Sequence, residues 1–202
     1  MPPLELEKSF ANVDLYKLQL EWSNKNSELR ENIRRRSGKK FYFNCLKPDC
    51  GHEIVISPDK IASGNGCKYC CIPTQSLCGV ETCTICMEKS FASNPKAKYW
   101  IMEKNKIDPK YVSKFSNKKY WFLCDKCNHN FEKNVYSITH NEGWCPYCVG
   151  QKLCNNNDCN YCFNLSFACS DKISFWSNKN IQNPRNIFKC SADKYLFNCN
   201  KC

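Results

Sequence analysis

The sequence predicts a tandem array of small α+β modules, stapled through cysteine instead of being built around one large core. Three observations lead there. Cysteine supplies 19 of the 202 residues, far above ordinary usage. A block of sequence recurs three times, and most of the cysteines sit at fixed places inside it. The hydrophobic share reaches 42% only with cysteine counted in it, so each module buries too little apolar surface to stand without a staple.

The repeat opens on Ser9-Phe10-Ala11, Ser90-Phe91-Ala92 and Ser166-Phe167-Ala168. A tryptophan follows in each copy, at Trp22, Trp100 and Trp176, and then Asn26, Asn105 and Asn180. Between Phe10 and Trp22, the apolar residues Val13, Leu15, Leu18 and Trp22 have the spacing of a short amphipathic helix. A basic stretch then leads to an aromatic run ending on cysteine: Phe41-Tyr42-Phe43-Asn44-Cys45, Tyr120-Trp121-Phe122-Leu123-Cys124 and Tyr195-Leu196-Phe197-Asn198-Cys199. Residues 53–57 and 130–135 read as strands that return to pair with the first two runs as hairpins, one aromatic face inward and the other outward. Gly64, Gly66 and Gly143 mark turns just ahead of a second cysteine pair. The period is 75 to 81 residues. It divides the chain into repeat 1 (9–73), a cysteine-rich connector (74–89), repeat 2 (90–150), a second connector (151–165) and a truncated repeat 3 (166–202).

Compartment decides between disulfides and metal. The N-terminal residues carry no secretory signal, and no stretch approaches the roughly 20 apolar residues of a membrane span. An intracellular reducing compartment follows, where Cys-x2-Cys pairs are ligands more often than disulfides. Sixteen cysteines keep the register, leaving Cys71, Cys169 and Cys190 outside it. Copy one has Cys45-x4-Cys50 and Cys67-x2-Cys70; copy two has Cys124-x2-Cys127 and Cys145-x2-Cys148. Two such knuckles about 17 residues apart suit tetrahedral Zn2+, bound by four thiolates in a closed structural site.

A second group recurs as Cys78-x4-Cys83-x2-Cys86 and Cys154-x4-Cys159-x2-Cys162, and copy three supplies Cys199 and Cys202. Three cysteines are one ligand short of a structural zinc site. Two outcomes fit these groups: zinc completed by a ligand from elsewhere, or packed or redox-labile thiols. His52 and His129 each follow the first knuckle, where a hydrogen bond to a zinc-bound sulfur, or simple packing, is expected ahead of ligation. A nuclease centre built on His129, Asn130 and His140 has no counterpart in copy one, where Ala62 stands at the place of His140. No paired-carboxylate, phosphate-loop or Ser/His/Asp pattern is present in the sequence, so the reading is non-enzymatic, with no catalytic residues and no small-molecule substrate.

Charge speaks to partners. The formal net charge is +11, and its cations cluster ahead of each aromatic run: Arg34, Arg35, Arg36, Lys39 and Lys40; Lys114, Lys118 and Lys119; Arg185 and Lys189. Cations that neutralise phosphates beside rings that stack on bases fit nucleic-acid binding, DNA or RNA, with little sequence readout. Solvated lysine loops and buried aromatics are the plain alternative. A scaffold that binds a protein partner is the competing function. Zinc bound by four thiolates carries a net −2, so two such sites lower the chain to about +7, and the placement of charge matters more than its sum.

From Ser90 to Cys148 the string Ser-Phe-Ala, Trp, Asn, Ser-x-Lys-Lys-Tyr-Trp-Phe-x-Cys-x2-Cys-x-His and Gly-Trp-Cys-Pro-Tyr-Cys resembles the tandem treble-clef, or probable zinc-ribbon, repeat family. That family is common in large nucleocytoplasmic DNA viruses. The resemblance implies a treble-clef or zinc-ribbon-like fold, with a short helix, a β-hairpin and zinc knuckles. It also implies ligation by Cys45, Cys50, Cys67 and Cys70 and by Cys124, Cys127, Cys145 and Cys148, in a protein of the cytoplasm, nucleus, viral factory or virion. Copy one departs from the family pattern at its four-residue knuckle, and copy three lacks the second knuckle. Either the natural chain is expected to continue past Cys202, into a catalytic domain on the nuclease-accessory reading, or Cys199 and Cys202 receive partners from elsewhere.

Overall fold

The computed structural model of the chain describes residues 5–72, 75–140 and 143–199. It divides into two compact units, Met1–Ala97 with Lys106–Ser116, and Lys98–Asn105 with Asn117–Cys202. In the first unit, strands β1 (Leu20–Trp22), β2 (Phe41–Cys45) and β3 (Glu53–Ile56) form an antiparallel sheet in that order. The expected hairpin is β2-β3, in register from Phe41↔Ile56 to Asn44↔Glu53. Strand β1 lies along the other edge of β2, with Trp22 opposite Phe43.

Alternation along β2 buries Phe41, Phe43 and Cys45 and leaves Tyr42 outside. Phe43 and Phe10 are completely buried and meet edge to face, with Trp22 also edge-on to Phe43. Burying a ring of this size contributes about 1.5–3 kcal/mol. Helix α1 (Pro58–Ala62) follows β3 and buries Ile61 against the sheet. Pro58 starts it, where a missing N–H costs nothing. Gly64, at φ +88°, turns the chain out of it. Helix α2 (Thr84–Lys89) leads into the second Ser-Phe-Ala, whose Phe91 N–H donates to the Val112 carbonyl at 2.7 Å.

The helix expected between Phe10 and Trp22 is not formed. Two three-residue 3-10 turns, Phe10–Asn12 and Tyr16–Leu18, and strand β1 take its place. Local side-chain bonds take donors that a helix would need, and a long-range bond fixes the start of the segment. Asp14 accepts the N–H groups of Tyr16 and Lys17, and Phe10 N–H donates across the fold to Ile33. Gln19 then adopts φ 52° and redirects the chain into β1. The apolar residues still face the core: Leu15 is buried, and Val13, Leu18 and Trp22 pack against it.

The second unit repeats the hairpin. It contains α3 (Met102–Asn105), β4 (Lys119–Leu123), β5 (Asn130–Asn134), α4 (Val135–Thr139) and α5 (Asn160–Leu165). Strands β4 and β5 pair from Lys119↔Asn134 to Leu123↔Asn130, and Trp100 bridges Phe122 on the outer edge. Asn134 caps α4 by accepting the Ser137 N–H at 2.8 Å. In the third copy the aromatic run is joined by a Trp176↔Phe197 bridge, with the Phe167, Trp176 and Phe197 rings packed together.

The recurring asparagine is explained by the edge of each aromatic run. Asn26 Nδ2 donates to the Tyr42 carbonyl at 2.7 Å, and Asn26 Oδ1 accepts the Tyr42 N–H at 2.9 Å. Asn105 grips Trp121 in the same way at 2.9 and 2.8 Å, and Asn180 grips Leu196 at 2.8 and 2.9 Å. A side-chain amide carries the donor and acceptor of a peptide group, so each asparagine acts as one more strand residue and closes part of the exposed edge.

Candidate metal centres

Each finger begins its metal site where β2 or β4 ends. Cys45 is the last residue of β2, and Cys50 follows a turn; Cys124 directly follows β4, with Cys127 three residues on. The next residue in each copy, Gly51 at φ 53° or Asn128 at φ 54°, is left-handed. Glycine and asparagine are the residue types that take this conformation most readily. After hairpin and helix, Cys67 with Cys70, and Cys145 with Cys148, complete the two four-cysteine clusters.

The sulfurs stand where one ion would put them. Cys45 and Cys70 Sγ are 3.7 Å apart, as are Cys50 and Cys67; Cys124 and Cys148 are 3.5 Å apart, as are Cys127 and Cys145. Four sulfurs at about 2.3 Å from a tetrahedral zinc lie about 3.8 Å from one another. None of the described cysteines is in a disulfide. Burial pushes the Cys45, Cys50 and Cys70 thiols up to about 11. Burial acts on Cys67 too, but the backbone N–H groups of Tyr69 and Cys70 and the neighbouring thiols outweigh it and hold Cys67 below its ordinary value. A cation entering the first site therefore displaces protons.

The three-cysteine groups find their fourth donor in the fingers. His52 joins Cys78, Cys83 and Cys86, and His129 joins Cys154, Cys159 and Cys162. His52 Nε2 is 3.4 Å from Cys83 Sγ and 3.6 Å from Cys86 Sγ; His129 Nε2 is 3.4 Å from both Cys159 and Cys162. Cys83 and Cys159 stand at the N-caps of α2 and α5, and Cys86 and Cys162 lie in the first turns, so each Cys-x2-Cys pair presents both sulfurs at one helix end. The Tyr inside each second knuckle stacks on the imidazole, Tyr69 on His52 at 4.3 Å and Tyr147 on His129 at 4.2 Å. For His52 the expected meeting with a knuckle sulfur is present, and the same ring also reaches the connector cysteines. His52 Nδ1 does meet a knuckle sulfur, Cys50 Sγ at 3.1 Å, while Nε2 faces the connector cysteines. The signal in the sequence is the pairing itself: each of the first two copies has a group of three cysteines one ligand short and a histidine in the same register.

The remaining candidates lie elsewhere. Cys71 Sγ reaches the Lys68 carbonyl, Cys169 Sγ the Asn164 and Ser166 carbonyls, and Cys190 is exposed. Cys199 is exposed and belongs to none of the clusters among the described residues; Cys202 lies outside those residues. His140 stacks on Tyr136 and is in none of the clusters. Arg34, Arg35, Arg36, Lys39, Lys40, Lys118, Lys119 and Lys189 are exposed, and Lys114 is half-buried. Arg185 is a correction: it is 6% exposed. Its Nη2 donates to the Asn156 carbonyl at 2.8 Å and approaches Cys154 Sγ at 3.7 Å, so it braces the second connector and is turned away from solvent.

Comparison with known proteins agrees with this geometry. Residues 97–151 match the family described as "Probable Treble clef zinc finger domain". The chain is also 35% identical over 198 residues to an uncharacterized protein of Acanthamoeba polyphaga mimivirus, an alignment covering 95% of this chain and 46% of that protein. The chain thus spans about half the length of that relative. A large DNA virus is the setting the sequence resemblance implied. Residues 97–151 are thus similar to a treble clef zinc finger, the copy before them has the same four-cysteine geometry, and a cluster of one histidine and three cysteines follows each.

Proposed function

We infer that the chain is a non-enzymatic, zinc-stapled array that binds nucleic acid along its basic, aromatic faces. One observation carries this reading: three cation positions recur in register in all three copies. Arg35, Lys114 and Lys189 share one position, each anchored by its backbone N–H on the carbonyl of Lys8, Lys89 or Leu165. Lys40, Lys119 and Lys194 directly precede the aromatic runs. Lys25, Lys104 and Lys179 directly precede the edge-closing asparagines. All but Lys114 are exposed. The outward ring of each hairpin lies beside the last set, with Lys25 Nζ 5.9 Å from the Tyr42 ring centre and Lys104 Nζ 4.1 Å from that of Trp121. A phosphate-neutralising cation beside a ring able to stack on a base is the pairing that single-strand binders use.

Zinc in the four-cysteine sites supplies folding energy and fixes these faces. Fluorescence anisotropy with labelled single- and double-stranded oligonucleotides, read from 50 to 200 mM salt, tests the reading. Three contacts from each of the two complete fingers give a log–log salt slope of about −5 on duplex DNA. No binding at 50 mM salt, or an affinity flat in salt, refutes it.

A further inference from the structure

The two metal clusters of the first finger share a side chain. We propose that His52 joins two metal ions into one unit: Nε2 completes a four-ligand site with Cys78, Cys83 and Cys86, and Nδ1–H donates to the Cys50 thiolate of the four-cysteine site. This rests on the zinc reading of the four-cysteine clusters and extends it to residues 78–86 and 154–162, beyond the finger matched at 97–151.

Geometry carries the ligand assignment. A sulfur and an imidazole nitrogen bound to one tetrahedral zinc stand about 3.6 Å apart, and the four Nε2-to-sulfur distances are 3.4 to 3.6 Å. All the donor atoms of each cluster lie within 4.8 Å of one another. Three thiolates and one imidazole are a borderline-soft donor set suited to zinc and unsuited to magnesium or calcium.

The coupling follows from the chemistry of the ring. A neutral imidazole has one N–H and one lone pair on its two nitrogens. A thiolate 3.1 Å from Nδ1 is an acceptor, so it places the proton there and leaves the Nε2 lone pair for the second ion. Tyr69, held between Cys67 and Cys70, lies flat on the same ring, so the first site also sets the direction in which Nε2 points. Lys89, at the end of α2, donates to the Tyr69 and Cys71 carbonyls at 3.1 and 3.5 Å. It ties the helix that carries Cys86 back to the second knuckle and sets a positive charge beside two anionic centres.

The second finger is a built-in contrast. It has the same Nε2 geometry and the same tyrosine stack, but His129 Nδ1 is buried with no hydrogen-bond partner among the described residues, and Leu165 stands where the first finger has Lys89. Occupancy is therefore common to both fingers, and the hydrogen-bonded link belongs to the first.

Zinc content by mass spectrometry, zinc release to a chromogenic chelator and cadmium-113 spectra of the cadmium-exchanged full chain test the proposal. The native chain should hold four ions, with two resonances from all-sulfur sites and two from sites of three sulfurs and one nitrogen. Cys83→Ser with Cys86→Ser should remove one ion and speed release from the Cys45 site about 10-fold or more, with the Cys124 site unchanged as the internal control for folding. His52→Cys, which offers a sulfur ligand but no N–H donor, should keep four ions and still speed release from the Cys45 site. Two ions and no resonance from a nitrogen-containing site overturn the new sites. Four ions in the native chain, with release from the Cys45 site unchanged in both variants, overturn the coupling and leave the zinc reading standing. A native chain that holds no zinc overturns that underlying reading instead.

Discussion

Replacing Asn105 by alanine tests whether the recurring asparagine is a strand surrogate. Two bonds are lost, Nδ2 to the Trp121 carbonyl and Trp121 N–H to Oδ1, at 2.9 and 2.8 Å, in half-buried surroundings. The carbonyl keeps a second donor, Ile101 N–H at 3.2 Å, so the loss falls mainly on the Trp121 N–H. Leaving that half-buried N–H without an acceptor costs about 1–3 kcal/mol, so local opening becomes easier by about 2 kcal/mol, and at about 1.4 kcal/mol per factor of ten the Trp121 amide exchanges about 30-fold faster. Amide hydrogen exchange on the zinc-loaded chain reads this directly. Asn26→Ala should speed the Tyr42 amide by only about 5-fold, because its two bonds to Tyr42 are exposed and water replaces them. Equal rates for Trp121 in variant and native chain, or an acceleration spread evenly along β4, refute the surrogate role.

Alanine at Lys25, Arg35 and Lys40 together, all exposed, should reduce the salt slope of duplex binding by about 3 without altering the circular dichroism of the zinc-loaded chain. Arg185→Ala should do the reverse, costing about 1–3 kcal/mol of stability through its lost buried bonds while the salt slope stays put; urea melts and anisotropy separate the two. Acidification should strip the metal. The Cys45, Cys50 and Cys70 thiols, held at about 11 by burial, are protonated without it, so falling pH favours protons over zinc. Dialysis between pH 7 and 5 should show falling zinc content, and full retention throughout would contradict that sign.

Much of the fold was legible because its signals are local. The aromatic runs of Phe41–Cys45 and Lys119–Leu123 specify strands, and the spacing of the cysteine pairs groups the four-cysteine donors by chain geometry alone. The misread segment, Phe10 to Trp22, shows where local signals compete. Its apolar spacing fits a helix, but Asp14 takes the backbone donors of Tyr16 and Lys17 first. Arg185 looked like one more surface cation because its partner, Asn156, is 29 residues away. The histidine partners of the connector cysteines were hidden in the same way: His52 and Cys83 are 31 residues apart, and no spacing rule links them. What spacing cannot supply, comparison of the copies with one another can, since Asn26, Lys25, Tyr69 and His52 each acquire a role once set beside Asn105, Lys104, Tyr147 and His129.

The histidine that reaches out of each finger also bears on how such an array can lengthen. The connector cysteines are completed by the finger before them, and helices α2 and α5 run directly into the Ser-Phe-Ala that opens the finger after. A duplicated segment inserts without orphaning a ligand only when its ends fall at the same register position. A segment cut between His52 and Cys78 and placed elsewhere would carry three thiolates to a site with no imidazole, or an imidazole to a site with no thiolates. Arrays of this kind are thus expected to gain or lose length in whole periods, with the histidine-to-cysteine span kept unbroken across every junction.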